Sequence, residues 1–358
     1  MNRGGYIRSA REALLELADL ENAFLRPEAF ARISDTLWGD LHRTVDPDLV
    51  SHAIDQLKAE DVLRETSAPT RGGRTVQVLH FTDLTGRKAA VEAASKRKRL
   101  LQGRYLGWAL GSPGASGIIG PAGEAVVRAS LQEAQTKLPL LLINEGREVS
   151  HYLGEPVQGG PLDSAGHLLT LDQGIPVPVN LPIEVKNTRG WMFPWSQELF
   201  QLLHKAALLQ VAGLDRRIVP LLICRRMQFM TGRMAKELGF FVVELRFQAI
   251  SPTVDQTKLE QVQNELGYFD LTPTNDPSEA LITRIETLAN DAAKRAEKWA
   301  LWAPALVDYF AALRQEGSDR LEVMNEMYDV VRDSEHWEGT WPFPRPEPEP
   351  EEEDIFEV

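Results

Sequence analysis

The sequence predicts an α/β protein: a mixed sheet flanked by helices, with a small helical module before it and a helical region after it. Three observations predict this class. Apolar runs of strand length alternate with helical patterns between residues 121 and 246. The last of these, strand 218–224, a helix to Leu238 and strand 240–246, form a strand–helix–strand unit, which requires partly parallel pairing. Beyond residue 255 the apolar spacing is mainly helical, notably over 277–288 and 291–314.

At the N-terminus, residues 7–25 place Leu14, Leu15, Leu17, Ala18 and Leu20 in a helical pattern. A second helix starts near Pro27 and carries Phe30, Ile33, Leu37 and Leu41. A third follows Asp46-Pro47, where Asp46 suits a cap and Pro47 the first helical position. Its apolar face holds Leu49, Val50, Ala53, Ile54 and Leu57. Two short strands then flank the basic tip Arg71-Gly72-Gly73-Arg74. In this order the elements of residues 7–83 resemble a winged-helix domain, which implies a third helix in the major groove and a wing on the phosphate backbone. Arg71 and Arg74 are the wing's candidate nucleic-acid contacts. The third helix carries His52, Gln56 and Lys58 but also Asp48, Asp55 and Glu60, so a protein-contacting or structural arm is the alternative.

Residues 84–110 read as the most basic helix of the chain, with Arg87, Lys88, Lys96, Arg97, Lys98, Arg99 and Arg104. The four consecutive cations Lys96 to Arg99 are candidate phosphate contacts, and a solvated linker surface is the other reading. Glycines at 111, 114, 117, 120 and 123 suggest a flexible hinge, since no Gly-Lys-Ser/Thr follows to make a phosphate loop. The expected organisation is therefore a small module over 1–84, a basic linker and hinge over 85–117, an α/β core over 118–250, a helical region over 251–340 and a disordered acidic tail over 341–358.

Within the core, a helix runs from Pro121 to about Lys137, and strands follow near 138–143, 148–153, 162–171 (broken by Gly166) and 183–187. A helix over 196–211 aligns Leu199, Leu202, Leu203, Ala206 and Leu209. Side chains alternate along a strand, so Ile183 and Val185 point to the core while Glu184 and Lys186 share the other face. Gly160-Pro161-Leu162-Asp163 lies upstream, where hairpin pairing brings Asp163 beside Glu184, with Asp172 as its competitor. Glu124 sits in the first core helix, four residues before Arg128, and Gln201 and Lys205 stand one turn apart on the helix after Lys186.

These residues, in this order of elements, resemble the PD-(D/E)XK nuclease superfamily over residues 121–246. The resemblance implies a restriction-endonuclease-like fold and hydrolysis of DNA phosphodiesters with Mg²⁺, for which Mn²⁺ substitutes. It implies that Asp163 and Glu184 hold the metal with the Val185 carbonyl, that Lys186 positions water or neutralises the phosphorane-like state, and that Glu124 and Gln201 assist. Two other functions stay open: a nucleic-acid-binding protein on the same fold without turnover, and a winged-helix regulator whose larger part mediates assembly.

Trp191, Phe193 and Trp195 form an aromatic cluster suited either to a small local core or to stacking on a base. Arg225, Arg226 and Arg233 are candidate phosphate contacts or a solvated face. The formal charge of −13 hides an uneven distribution: residues 1–110 carry 17 Lys/Arg against 15 Asp/Glu, while 345–358 carry seven acids and one arginine. The tail reads as solubilising, or as a dock for a basic protein partner. A second copy of the chain is a further expected partner. One cysteine, Cys224, excludes an internal disulfide and a thiolate zinc site, and the seven histidines show no ligand spacing. No secretory leader or membrane-spanning run is evident, so a cytoplasmic location is expected.

Overall fold

In a computed structural model, which describes residues 3–36, 44–70, 74–111, 115–172, 174–315, 317 and 319–341, the chain folds around two sheets joined by buried contacts. The N-terminal part runs α1 (Arg3–Glu21), β1 (Phe24–Leu25), α2 (Arg26–Phe30) with a π-turn at Ala31–Asp35, α3 (Pro47–Ala59), β2 (Leu63–Pro69) and β3 (Thr75–Phe81). Its strands form an antiparallel sheet in the order β1-β3-β2. As the sequence suggests, Pro47 opens α3, and the Asp46 side chain accepts from the Asp48 amide at 3.2 Å. Strand β1 is too short for any period to announce. The second expected helix ends in the π-turn, and its continuation through Leu37 and Leu41 lies outside the described residues.

Next come α4 (Lys88–Leu110) and α5 (Gly120–Lys137). Gly111 and Gly117 between them pack tightly where a hinge was expected. A Cβ on Gly111 would lie 2.2 Å from the Ala115 carbonyl oxygen, and one on Gly117 would lie 2.4 Å from that of Ala109. Helix α4 is no free linker either: Val91, Ala94, Leu101 and Tyr105 share one core with Val76 and Val78 of β3 and with Leu259, Val262 and Tyr268 from far along the chain.

The larger sheet collects β4 (Leu140–Leu142), β7 (Ser164–Asp172), β8 (Ile175–Lys186), β9 (Leu221–Cys224) and β10 (Phe241–Glu244), after a small ladder of β5 (His151–Tyr152) and β6 (Glu155–Pro156). Its order is β10-β9-β8-β7-β4, with β8, β9 and β10 parallel and β7 antiparallel to both its neighbours. This is the mixed sheet the sequence predicts. Gly166 does not break β7; a Cβ there would stand 3.0 Å from the Leu141 carbonyl, so glycine lets β4 approach. Helix α6 (Gln197–Val211) and helix α7 (Phe229–Leu238) cover one face. After β11 (Gln248–Ile250), α8 (Gln256–Leu266) and β12 (Leu271–Pro273) comes α9 (Glu279–Leu313), followed by α10 (Arg320–Arg332).

Helix α9 joins two expected helices into one, because nothing at Asn290 stops it. Its first half packs with α5 on one face of the sheet, through Ile282, Ile285 and Leu288 against Val127, Leu181, Ile183 and Ile223. Its second half packs on the other face with α6, through Trp302, Leu306 and Phe310. Each fully buried Leu or Ile here contributes roughly 2 kcal/mol from apolar burial. Among the described residues no helix is long and apolar enough to cross a membrane.

Candidate active site

Strand β8 alternates as its sequence dictates. Leu181 and Ile183 enter the core beneath α5 and α9, and Glu184 and Lys186 turn to the α6 side. The β7–β8 ladder pairs Ser164 with Ile183, so Asp163 stands one step beyond it, opposite Glu184. Its competitor Asp172 lies at the far end of that ladder, paired with Ile175. The Asp163 carboxylate accepts the Val185 amide at 2.7 Å, replacing the ladder bond that the end of β7 removes. Glu184 is 2% exposed and salt-bridged twice: to Lys186 at 3.1 Å and to Lys205 of α6 at 2.5 Å. Lys205 also donates to the Pro161 carbonyl at 2.6 Å, so one ammonium clamps the Asp163 turn to Glu184.

Charge is unevenly shared. Both ammonium groups serve Glu184, and Asp163 has an amide. Burial first, and then the negative charge of Glu184, push the Asp163 carboxyl up to about 7 against the opposing pull of Val185 and Lys186; Glu124 adds a smaller upward push. A divalent cation relieves this kind of like-charge crowding. Mg²⁺ is commonly held by one or two carboxylates, with water and phosphate oxygens completing its shell. Asp163, Glu184 and the Val185 carbonyl are the groups here that could hold such an ion; no group of three or more His, Cys, Asp or Glu able to hold a metal occurs among the described residues.

Glu124 reaches this neighbourhood because Gly123 lets α5 press on the end of β8: a Cβ on Gly123 would lie 2.4 Å from the Asn187 Cβ. Asn187 in turn donates to the Ile119 and Ala249 carbonyls at 2.6 and 2.7 Å. Glu124 is exposed and forms no ion pair with Arg128. Gln201 is half-buried on α6, one turn before Lys205, and no hydrogen bond joins it to Glu184 or Lys186. Lys205 is the residue whose role sequence reasoning missed. The signal was a lysine one turn from Gln201 on a helix whose buried face continues around it.

The expected nucleic-acid contacts separate. Lys98 is fully buried and paired with Glu28 at 2.5 Å and Glu21 at 2.9 Å, so it ties α4 to the N-terminal part and cannot reach a phosphate. Arg74 donates to the Leu106 carbonyl at 2.7 Å and to that of Gly111, closing the end of α4. Arg97 pairs with Glu265 at 3.0 Å while remaining half-exposed, and Arg99 donates to Ser95 within its own helix. Lys96 is exposed. Lys96, Arg97 and Arg99 line a groove of about 720 Å³ with Pro69 and Thr70. Arg71 lies outside the described residues, as does the acidic tail beyond residue 341.

Arg225 is likewise no phosphate contact. It is 1% exposed and pairs with Asp35 at 2.8 Å and Asp270 at 2.7 Å. Arg189 meets the same two carboxylates at 2.5 Å each, and the Trp191 indole donates to Asp35 at 2.7 Å. Burial acts to raise the Asp270 carboxyl, and the two guanidinium groups outweigh it and hold it below its ordinary value. Arg226 donates to the Asp35 carbonyl at 3.2 Å. Phe193 and Trp195 stack on each other at 5.1 Å, whereas Arg233 remains exposed on α7. Comparison with protein-family models, with curated proteins and with solved structures finds no match for this chain.

Proposed function

We propose that this chain is a Mg²⁺-dependent nuclease of the PD-(D/E)XK type acting on DNA phosphodiesters. The observation that carries the reading is the convergence of Asp163 and Glu184 from adjacent antiparallel strands, with Lys186 and Lys205 beside them. Asp163, Glu184 and the Val185 carbonyl would hold the metal, which when bound polarises a phosphate oxygen and acidifies a water. Lys186, 19% exposed, reaches the mouth of the site, where its ammonium can meet charge growing on the phosphate. Lys205 is a positioning residue that fixes Glu184 and the Pro161 turn. Helix α5 carries Glu124, exposed and near enough to add to the charge around Asp163. The groove formed by Lys96, Arg97 and Arg99 offers a second contact for the backbone, next to an N-terminal part whose element order supports the winged-helix likeness.

Purified protein with Mg²⁺ or Mn²⁺ on linear, circular, single-stranded and branched DNA tests this. Glu184→Gln and Lys186→Met should each lower cleavage at least about 100-fold, with the fold retained by circular dichroism. Metal-independent cleavage, or full activity in Glu184→Gln, would overturn the reading. A second reading, nucleic-acid binding without turnover, is favoured by one observation: Glu184 already has two ammonium partners. It requires salt-sensitive binding that ignores Glu184→Gln, with no cleavage of any substrate.

A further inference from the structure

A cleft of about 990 Å³ opens between the N-terminal part and the sheet domain. One wall is a single face of α7: Phe229, Gly232, Arg233 and Lys236, spaced three, four and seven residues from the first. The other wall is Tyr6 of α1 with Asp46 and Leu49, and Trp191 and Glu244 also line the cleft. Phe229 is 68% exposed, a poor place for a large aromatic ring without a partner, and the Arg233 guanidinium lies over it at 4.9 Å. The acidic groups are tied inwards: Glu244 accepts the Met227 amide at 2.9 Å, and Asp46 caps α3. The cations lining the cleft from α7 are Arg233 and Lys236.

The cleft also shares an edge with the candidate active site. Lys186, Cys224 and Glu244 stand in one cross-strand row at the C-terminal ends of β8, β9 and β10. Glu244 is therefore two strand spacings, roughly 10 Å, from Lys186, so adjoining nucleotides of one strand can lie at both places. An accessible aromatic face beside two cations, at the same edge as a phosphate-handling cluster, is the chemistry that holds unpaired nucleotides. We infer that this cleft binds unpaired nucleotides of a nucleic-acid strand, bases stacking on Phe229 and phosphates meeting Arg233 and Lys236. The inference rests on the nuclease reading and adds its substrate class: DNA with a single-stranded segment beside the scissile phosphate.

The test is fluorescence anisotropy without metal, on the full chain in a Glu184→Gln background. The probes are a labelled single strand of about 12 nucleotides, within the usual span of such sites, and a blunt duplex of the same sequence. Phe229→Ala should weaken single-strand binding roughly tenfold or more and leave duplex binding unchanged. Phe229→Trp should preserve or strengthen it, which a purely structural ring would not explain. Arg233→Gln with Lys236→Gln should lower the salt slope of single-strand binding by about 1.4. Single-strand binding equal to the parent in Phe229→Ala and in the double variant overturns the inference, as does no single-strand binding at all. Cleavage of linear, single-stranded and branched DNA, measured separately with Glu184 intact, decides the nuclease reading: intact cleavage with indifferent cleft variants sinks the cleft alone. Cleft-dependent binding without cleavage sinks the nuclease alone.

Discussion

Two buried clusters of charge follow the C-terminal ends of β8 and β9, and they are built on opposite plans. In the arginine cluster, every oxygen of the Asp35 and Asp270 carboxylates meets a guanidinium or an indole within 2.8 Å. In the lysine cluster, both ammonium groups converge on Glu184 and Asp163 is left with one amide. The consequence appears in the carboxyls themselves: Asp270 is held below its ordinary value, and Asp163 is pushed up to about 7 by burial and by Glu184. Fully paired carboxylates suit a joint, here between the N-terminal part, the sheet and the β12 segment. Incomplete pairing leaves a carboxylate able to accept a ligand, which is what a site for chemistry requires.

The sharpest way to break this contrast is to neutralise one acid in each cluster. Asp270→Asn strips the charge from a buried pair of arginines and should cost about 3–5 kcal/mol of stability. Asp163→Asn keeps an oxygen for the Val185 amide and should change stability by no more than about 1 kcal/mol. Urea titration of the two variants decides it, and equal losses would show that the clusters do the same work.

A next-largest effect concerns ligand response. Mg²⁺ at about 100 times its dissociation constant should add roughly 2.7 kcal/mol of stability, and Glu184→Gln should abolish that gain while Arg226→Gln leaves it intact. Thermal melts with and without the ion measure it; a Mg²⁺ shift that survives Glu184→Gln would move the metal elsewhere.

Gly123→Ala tests how the first cluster is positioned. Its methyl would overlap the Asn187 side chain at 2.4 Å, so α5 must shift away from β8. A loss of about 2 kcal/mol, with reduced Mg²⁺ response, is expected. An unchanged melting curve would mean that Asn187 can yield.

Smallest is a pH effect outside both clusters. Burial, then the charge of Asp46, raises Asp48 to about 7. A carboxyl raised on folding gives stability that is fully present below its unfolded pKa near 4 and is lost as pH rises through the folded value. Asp48→Asn should thus gain over the parent as pH climbs from about 4 to 7, levelling near 1 kcal/mol because the site is partly open to solvent. A difference that is flat with pH would dismiss this assignment.

How much of the site was legible follows from how local each signal is. Glu184 and Lys186 share a face because a strand has a period of two, and Asp163 meets Glu184 because one hairpin sets the register. Lys98 and Arg225 were misjudged for one reason: a run of cations looks solvated until distant carboxylates are placed on it. The partners of Lys98 are on α1 and α2, and those of Arg225 are Asp35 and Asp270. Lys205 was noted beside Gln201 but given no role, because its partner depends on how α6 crosses β8.

Sequence alone determined the class of the fold, the strand–helix–strand unit, the α3 cap and the shared face of Glu184 and Lys186. Each follows from side-chain periodicity or from backbone groups within a few residues. Only the tertiary structure decided which charges are spent on one another, that α9 serves both faces of the sheet, and that a cleft faces Phe229 of α7. The physical reason is range. Hydrogen-bond ladders and helical spacing are fixed by neighbours along the chain, whereas a buried charge takes its state from whatever the fold brings within a few ångströms, however far away in sequence.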